Sequence, residues 1–225
     1  MDEALRRSAA HVLVADVHDP ALNEATIHHL CRVLRLREGE AITVTDGAGS
    51  WRGGAFVRDH LEPDGDANVE PKPDPLLTLA TALPKGERAE WLVQKSTEIG
   101  IDRIVLVDTE RSVVRWDGDR AARNLERLRR IAAEAAMQSR RVWLPVIDGV
   151  RPVADVLDGM AAAEPGGRAL QPSDVAIAVG PEGGWSDGEL ACVGDRISLG
   201  PHVLRVETAA VVAATLMVAN WRASR

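Results

Sequence analysis

The chain has 225 residues, 45% of them hydrophobic and 27% charged, with a formal net charge of −7 and two cysteines. This is enough apolar material for one large or two small domains with a real core, and the acidic balance argues against nucleic-acid binding over the whole surface. No apolar run reaches the roughly 18 residues that span a bilayer, the start Met1-Asp2-Glu3-Ala4 has no signal-peptide pattern, and Cys31 and Cys192 lack ligand-spaced neighbours, so the expectation is a reduced, cytoplasmic protein with no metal site.

Residues 10–70 read as short strands and turns. Residues 41–45 alternate, Asp46-Gly47-Ala48-Gly49 turns, and residues 51–57 start a returning strand. Residues 28–36 are the one helical interruption, with Ile27, Leu30, Val33 and Leu34 on one side. The three prolines of Glu70-Pro71-Lys72-Pro73-Asp74-Pro75 fit neither a helix nor a central strand. The expected division is therefore a first domain over 1–70, a linker over 71–75 and a second domain over 76–225. In the second domain the spacing predicts a strand over 76–83 and a helix over 87–99, ended by Gly100. A strand over 103–107 and an amphipathic helix over 119–140 follow. After them come a strand over 142–147 and a short helix opened by Pro152. Residues 163–173 read as a Gly/Pro-rich surface loop. Strands over 175–179 and 196–199 and a long apolar helix over 208–221 complete the chain. Strands alternating with helices specify an α/β fold with a parallel sheet.

Charge is unevenly distributed. Seven arginines and only two acids, Glu126 and Glu134, lie between Arg120 and Arg141. His28, His29, Arg32, Arg35 and Arg37 form a second basic cluster, and acids gather at Glu62 to Asp66. Local cationic patches on an acidic chain suit the gripping of a polyanion at a defined place, or are solvated helix faces.

In open α/β sheets ligands sit beyond the carboxyl ends of the strands, and two of those ends carry glycine here. One is the apolar run 175–179 followed by Gly180-Pro181-Glu182-Gly183-Gly184 and a Ser186-x-x-Glu189 capping box. The other is Leu199-Gly200-Pro201-His202-Val203-Leu204-Arg205-Val206-Glu207-Thr208. Glycine keeps Cβ out of the way, so two such loops can form a slot lined by backbone, suited to a flat heterocycle, or they are merely tight turns. Neither has the spacing of a phosphate cradle, and Glu182 would repel a pyrophosphate. Asp46-Gly47-Ala48-Gly49 is followed by a strand rather than a helix, which makes it a hairpin turn and not a dinucleotide motif.

Gly180-Pro181-Glu182-Gly183-Gly184 and Leu199-Gly200-Pro201-x-Val203-Leu204-Arg205-x-Glu207-Thr208 together resemble the bacterial 16S ribosomal RNA uridine-N3-methyltransferase family. Leu83-Pro84-Lys85-Gly86-Glu87, Gln94-Lys95-Ser96-x-Glu98-x-Gly100, Thr109-Glu110-Arg111-Ser112, Gln138-Ser139-x-Arg141 and His28-His29-Leu30 with Val33-Leu34-Arg35 extend the resemblance in the family's order. Ala209 stands where the family often has a second threonine. The resemblance implies a PUA-like β-barrel followed by a SPOUT-type parallel α/β domain with a C-terminal trefoil knot. It also implies a homodimer and methylation, from S-adenosylmethionine, of N3 of one uridine in the decoding region of 16S rRNA on the assembled small subunit.

On that resemblance Leu199, Gly200, Val203 and Leu204 bracket the adenine, and the loop from Gly180 through Pro181, Glu182, Gly183 and Gly184 admits the ribose and methionine. Arg205 and Thr208 complete the expected cofactor set. A carboxylate is tolerable beside a sulfonium cation. Arg141, Arg111 and Arg205, in that order, are candidates to stabilise the anion that develops on the uracil. Arg205 alternatively pairs with Glu207, and Glu207 accepts a proton or holds an arginine. RNA contacts are expected from His28, Arg32, Arg35, Lys95 and Arg140, although Lys95 and Glu98, three apart on a helix, can simply pair. Thr208 is expected to cap the last helix. Alternative readings are a knotted methyltransferase acting on another RNA, and a non-catalytic RNA-binding assembly factor.

Overall fold

Asp2 accepts a hydrogen bond from the Ala4 amide at 2.7 Å and so starts a short helix, α1 (Glu3–Arg7), which leads into strand β1 (Ala10–Leu13). The structure, a computed structural model, describes residues 1–223. They fall into two units, one of Met1–Pro73 and Ala133–Leu144, the other of Asp74–Ala132 and the chain from Pro145 onward. The chain thus leaves the first unit within the proline-rich stretch and rejoins it for twelve residues, which a single boundary at 71–75 does not describe.

In the first unit β1 runs parallel to β2 (Ala41–Thr45), and β2 antiparallel to β3 (Ser50–Val57). β3 pairs in turn with β4 (His60–Pro63) and β5 (Asn68–Val69). β2 is covered on both faces. Ile42 and Val44 join Val12, Leu30, Phe56 and Leu61 in an apolar core, while Thr43 and Thr45 are buried on the other side. There the Thr45 hydroxyl donates to the Val142 carbonyl (3.3 Å), so residues 133–144 supply that cover. The turn between β2 and β3 is the expected hairpin, held by Asp46, whose carboxylate accepts from the Ala48 and Ser50 amides. Its glycines answer a packing need. A Cβ at Gly49 would lie 2.5 Å from the Trp143 ring, and one at Gly47 2.7 Å from Leu144. The helical interruption starts earlier than its apolar spacing suggests, because Asn23 caps α2 (Glu24–His28) through the Thr26 amide. It continues as one π-helical turn, His29–Val33.

The second unit is a six-stranded, wholly parallel sheet. Its strands are β6 (Thr78–Ala82), β7 (Arg103–Asp108), β8 (Val146–Pro152), β9 (Ala161–Arg168), β10 (Ala176–Val179) and β11 (Asp195–Ile197), in the order β11-β9-β10-β6-β7-β8. The helices are α3 (Arg88–Ile99), α4 (Gly118–Gln138), α5 (Asp187–Leu190) and α6 (Val206–Ala223). Both sheet faces are dry, as a parallel sheet requires. Leu79, Ile104 and Ile177 pack with Leu92 of α3 and with Ala210, Ala213, Ala214 and Met217 of α6 on one side. Ala80, Val105, Ala178, Leu157 and Trp185 pack on the other. From β6 the sheet grows outward through β7 and β8, whereas on the other side β9 comes first in chain order, β10 inserts between β9 and β6, and β11 pairs beyond β9. β6 and β10 meet where the winding reverses, the position at which such sheets open a crevice.

Three expectations are corrected. Residues 163–173 are not all loop, since β9 reaches Arg168. Gly167 lies against the β11 backbone so closely that a Cβ would come 2.6 Å from Ile197, so this glycine, read as a loop marker, is there to allow that approach, whereas Gly166 has open space around it and φ of +83°. The strand expected over 142–147 is β8 at Val146–Pro152, because residues 142–144 serve the first unit. Pro152 closes that strand, and the turn after it is 3-10, Val153–Asp155.

Candidate functional site

β10 delivers its chain at Val179 into Gly180, and the next six residues return to the sheet as Trp185 and Ser186. A Cβ on Gly180 would stand 2.8 Å from the Trp185 ring, so the glycine is needed for the indole that lies on it rather than to keep a slot empty. The buried Trp185 donates from Nε1 to the Ala163 carbonyl (3.2 Å), which ties the loop to β9. Ser186 and Glu189 form the expected capping box and start α5.

Two side chains from elsewhere brace this loop. Arg111, in the loop after β7, donates from Nη1 to the carbonyls of Gly183 (3.1 Å) and Trp185 (3.0 Å). Glu189 accepts from the Ser186 amide on one carboxylate oxygen and from the Glu110 amide on the other, both at 2.8 Å. Glu189 is 8% exposed, and its charge is satisfied entirely by backbone. The loop after β7 and the loop after β10 are therefore cross-linked at two points. Arg111 is placed as a residue that shapes the glycine loop.

The two glycine loops and residues 163–165 of β9 enclose a cleft of about 340 Å³. Of the residues expected to hold a cofactor, Gly180, Pro181, Glu182, Gly183, Gly184, Leu199, Gly200, Val203 and Leu204 line it, and Arg205 and Thr208 do not. Gly200 has φ of +143°, a backbone state that favours glycine, and a Cβ there would meet nothing within 4 Å. Ala163, Trp185, Val206 and Ala209 also line the cleft and were not among the residues expected to do so. Trp185 alone carried a readable signal, a tryptophan directly after a glycine run. The charged side chains of the lining are Glu164 and Glu182, and no lysine or arginine is among them. Such a lining suits a neutral heterocycle carrying a cation, and would leave a phosphate unpaired.

Beside the cleft the chain enters α6. The Arg205 carbonyl accepts from the Ala209 amide (2.8 Å), so the helix begins at Val206, and Thr208 is an exposed first-turn residue rather than its cap. Arg205 is exposed and does not pair with Glu207. Glu207 is instead 3.4 Å from Arg88 of α3 through Oε1, and its buried Oε2 has no hydrogen-bond partner among the described residues. Lys95 is held by Glu98 at 2.7 Å, the local pairing that the spacing allowed.

The remaining candidates belong to the first unit. His28, Arg32 and Arg35 are exposed together, with Arg35 at φ of +55°. Arg140 donates to the Ser8 carbonyl (2.6 Å), so its head group serves the backbone of that unit. The Arg141 carbonyl lies 3.2 Å from Nε2 of His11, whose Nδ1 is 2.8 Å from the Thr43 hydroxyl. Burial lowers the His11 pKa from 6.5 to about 4, against the raising effect of the Arg141 carbonyl and with a smaller contribution from the nearby Arg140 cation. His11 is therefore neutral at pH 7, and its part in the fold has no counterpart among the sequence expectations. Among the described residues no cluster of His, Cys, Asp or Glu could hold a metal ion, and no helix is long and apolar enough to cross a membrane.

A family model described as an RNA methyltransferase domain matches residues 70–218, and one described as an RNA methyltransferase PUA domain matches residues 22–56. Ribosomal RNA small subunit methyltransferase E of Mycobacterium bovis is 31% identical, with 87% of this chain and 86% of that protein aligned. The protein of the same name from Synechocystis is 34% identical over 85% of this chain and 70% of its own. Among solved structures, a putative methyltransferase of Legionella pneumophila with the bound cofactor SAM superposes with a TM-score of 0.78, at 28% identity, covering 95% of this chain and 98% of that one. Ribosomal RNA small subunit methyltransferase E of Neisseria gonorrhoeae, bound to S-adenosyl methionine, gives a TM-score of 0.73 at 27% identity, covering 94% and 98%.

Proposed function

Because this chain belongs to the family of ribosomal RNA small subunit methyltransferase E, we propose that it methylates N3 of a single uridine in the decoding region of 16S rRNA on the assembled small subunit, using S-adenosylmethionine. The observation that carries this reading is the cleft: backbone-lined, apolar at Leu199, Val203, Leu204 and Ala209, acidic at Glu164 and Glu182, and without a cationic side chain. Its volume lies in the roughly 300–1,000 Å³ range of small-molecule sites. S-adenosylmethionine supplies an electrophilic methyl group on a sulfonium cation. The chain's own residues hold and orient it. Leu199, Gly200, Val203 and Leu204 offer apolar and backbone contacts to the adenine, and the 180–184 loop, braced by Arg111 and Glu189, receives the rest.

Displacement at a methyl group demands alignment of two reactants, so rigidity of that loop is itself catalytic capital. Uracil N3 must lose its proton, leaving negative charge shared with O2 and O4. Arg205 is an exposed cation between the cleft-lining Leu204 and Val206, and it meets that charge as it develops. Arg111 contributes by holding the loop. Arg141 remains a candidate for the same anion, carried on the unit to which His28, Arg32 and Arg35 also belong.

The family reading brings a PUA-like barrel in the first unit, a SPOUT-type domain with a C-terminal trefoil knot in the second, and a cytoplasmic homodimer. The parallel sheet supports the SPOUT-type assignment, and Val211, Val212 and Leu216 of α6, only partly buried, offer an apolar face to a second copy. The test is calorimetric binding of S-adenosylmethionine together with transfer of its labelled methyl group to small subunits from cells lacking this protein. Binding and transfer to small subunits, with none to large subunits, is the expected result. Binding of the methyl donor without transfer would redirect the reading to another RNA, and neither would favour a non-catalytic assembly factor.

A further inference from the structure

We propose that the outward face of α4 in the second unit, together with Trp91 of α3, is an RNA-binding surface separate from the cleft. Arg120, Arg123, Arg127 and Arg130 follow the phosphates of one rRNA strand, and a base of that strand stacks on the indole. The proposal rests on the rRNA reading above but not on the methyl-transfer step. The four arginines are spaced 3, 4 and 3 residues apart, which puts them within about 80° of one another around the helix and spreads them over about 15 Å of its length. All four are exposed. Arg127 pairs with Glu90 of α3 at 3.0 Å, whereas Arg120, Arg123 and Arg130 meet no carboxylate among the described residues. Asp119 and Glu126 flank the stripe, and Glu126 lies 4.0 Å from Arg129 on its other side.

Three successive like-charge neighbours at i,i+3 and i,i+4 oppose helix formation, offset in part by Asp119 and Glu126, four residues before Arg123 and Arg130. In a chain of net charge −7, with 34 acidic residues at hand, three of the four guanidinium groups nonetheless have no acidic partner. A polyanion satisfies them where the protein does not. The Glu90–Arg127 pair also fixes where the track leads. Glu90 shares a helical turn with Trp91, which is 44% exposed over an open hollow rimmed by Lys85, Glu87 and Arg88, the last 3.4 Å from Glu207. An exposed aromatic with a lysine beside it, here Lys85, is an arrangement on which unpaired bases stack while a phosphate is held. The chain has no tyrosine and one phenylalanine, and that phenylalanine is buried, which makes Trp91 conspicuous.

Filter binding of the full-length protein to protein-free 16S rRNA across a series of salt concentrations tests this. Wild type is compared with the triple variant Arg120→Gln/Arg123→Gln/Arg130→Gln and with Trp91→Ala and Trp91→Phe. S-adenosylmethionine affinity is measured for each as a control of folding. Each arginine that meets a phosphate of a single strand contributes about 0.7 to the slope of log K against log salt, so the triple variant is expected to flatten the slope by about 2. Trp91→Ala is expected to weaken binding about tenfold without changing the slope, and Trp91→Phe to restore most of it. Unaltered slope in the triple variant with intact methyl-donor binding overturns the proposal. So does a loss that appears only when the same series is repeated on assembled small subunits, which would assign the stripe to a ribosomal protein. Flattened slope together with donor binding but no methyl transfer by wild type would redirect the proposed activity to another RNA and leave the RNA surface standing.

Discussion

Trp185 lies so close to Gly180 that a single methyl group at that position has nowhere to go. Gly180→Ala is expected to displace the indole, break its bond to the Ala163 carbonyl and cost about 1–3 kcal/mol, as overpacking does. Denaturant unfolding followed by tryptophan fluorescence measures it. Arg111 separates two roles that sequence could not. If it holds the loop through the Gly183 and Trp185 carbonyls, Arg111→Ala weakens S-adenosylmethionine binding about tenfold by calorimetry, corresponding to about 1.4 kcal/mol. Unchanged affinity with reduced turnover would return Arg111 to the uracil. His11 gives the first unit a pH dependence. Its pKa is about 4 in the folded state and 6.5 ordinarily, so the unfolded chain takes up the proton first as pH falls. The contribution is fully present above about pH 6.5 and lost by about pH 4, on the order of 3 kcal/mol in total. His11→Gln should lower stability at pH 7 and flatten that slope, as urea midpoints between pH 4 and 7 would report. A parallel decline in both proteins would deny His11 the role.

At the scale of elements, the loops after β7 and β10 act as one piece because Glu189 bonds both backbones. Glu189→Gln keeps one acceptor and turns an amide group toward a buried N–H, which should cost about 1–3 kcal/mol and weaken methyl-donor binding. Full affinity in that variant would mean that the cleft does not depend on the brace. Glu189 was legible as a capping residue, since Ser186-x-x-Glu189 is a local pattern. Its second bond, to Glu110, joins residues 79 apart and leaves no local trace. The same distinction explains β9. Gly166 and Gly167 read as loop because glycine has two uses, and the fold shows one of each: Gly166 takes φ of +83° in open space, and Gly167 admits the neighbouring β11 backbone. Arg205, Glu207 and Thr208 show the limit from the other side. Proximity in sequence suggested a pair and a cap, but the fold places Arg88 of α3 beside Glu207 and starts the helix at Val206, which leaves Thr208 inside the first turn. The two loops were legible because each is a short segment at a strand end, where chain order and spatial order coincide, and the family resemblance singled out the nine residues within them that line the cleft.

At the scale of the whole molecule, an acidic chain serves an acidic substrate by keeping its cations local. The exposed His28, Arg32 and Arg35 lie on one unit, and the α4 stripe and Arg205 on the other. The cleft itself is left without lysine or arginine, so that it favours a sulfonium over a nucleotide phosphate. The most direct measurement is mass spectrometry of nucleosides and fragments from 16S rRNA, after incubating small subunits from cells lacking this protein with labelled S-adenosylmethionine and the purified enzyme. N3-methyluridine at one position of the decoding region is the expected result. A methyl group on a ribose, on another base or in another region would refute the assignment of target atom and site, and unlabelled rRNA would refute the assigned activity.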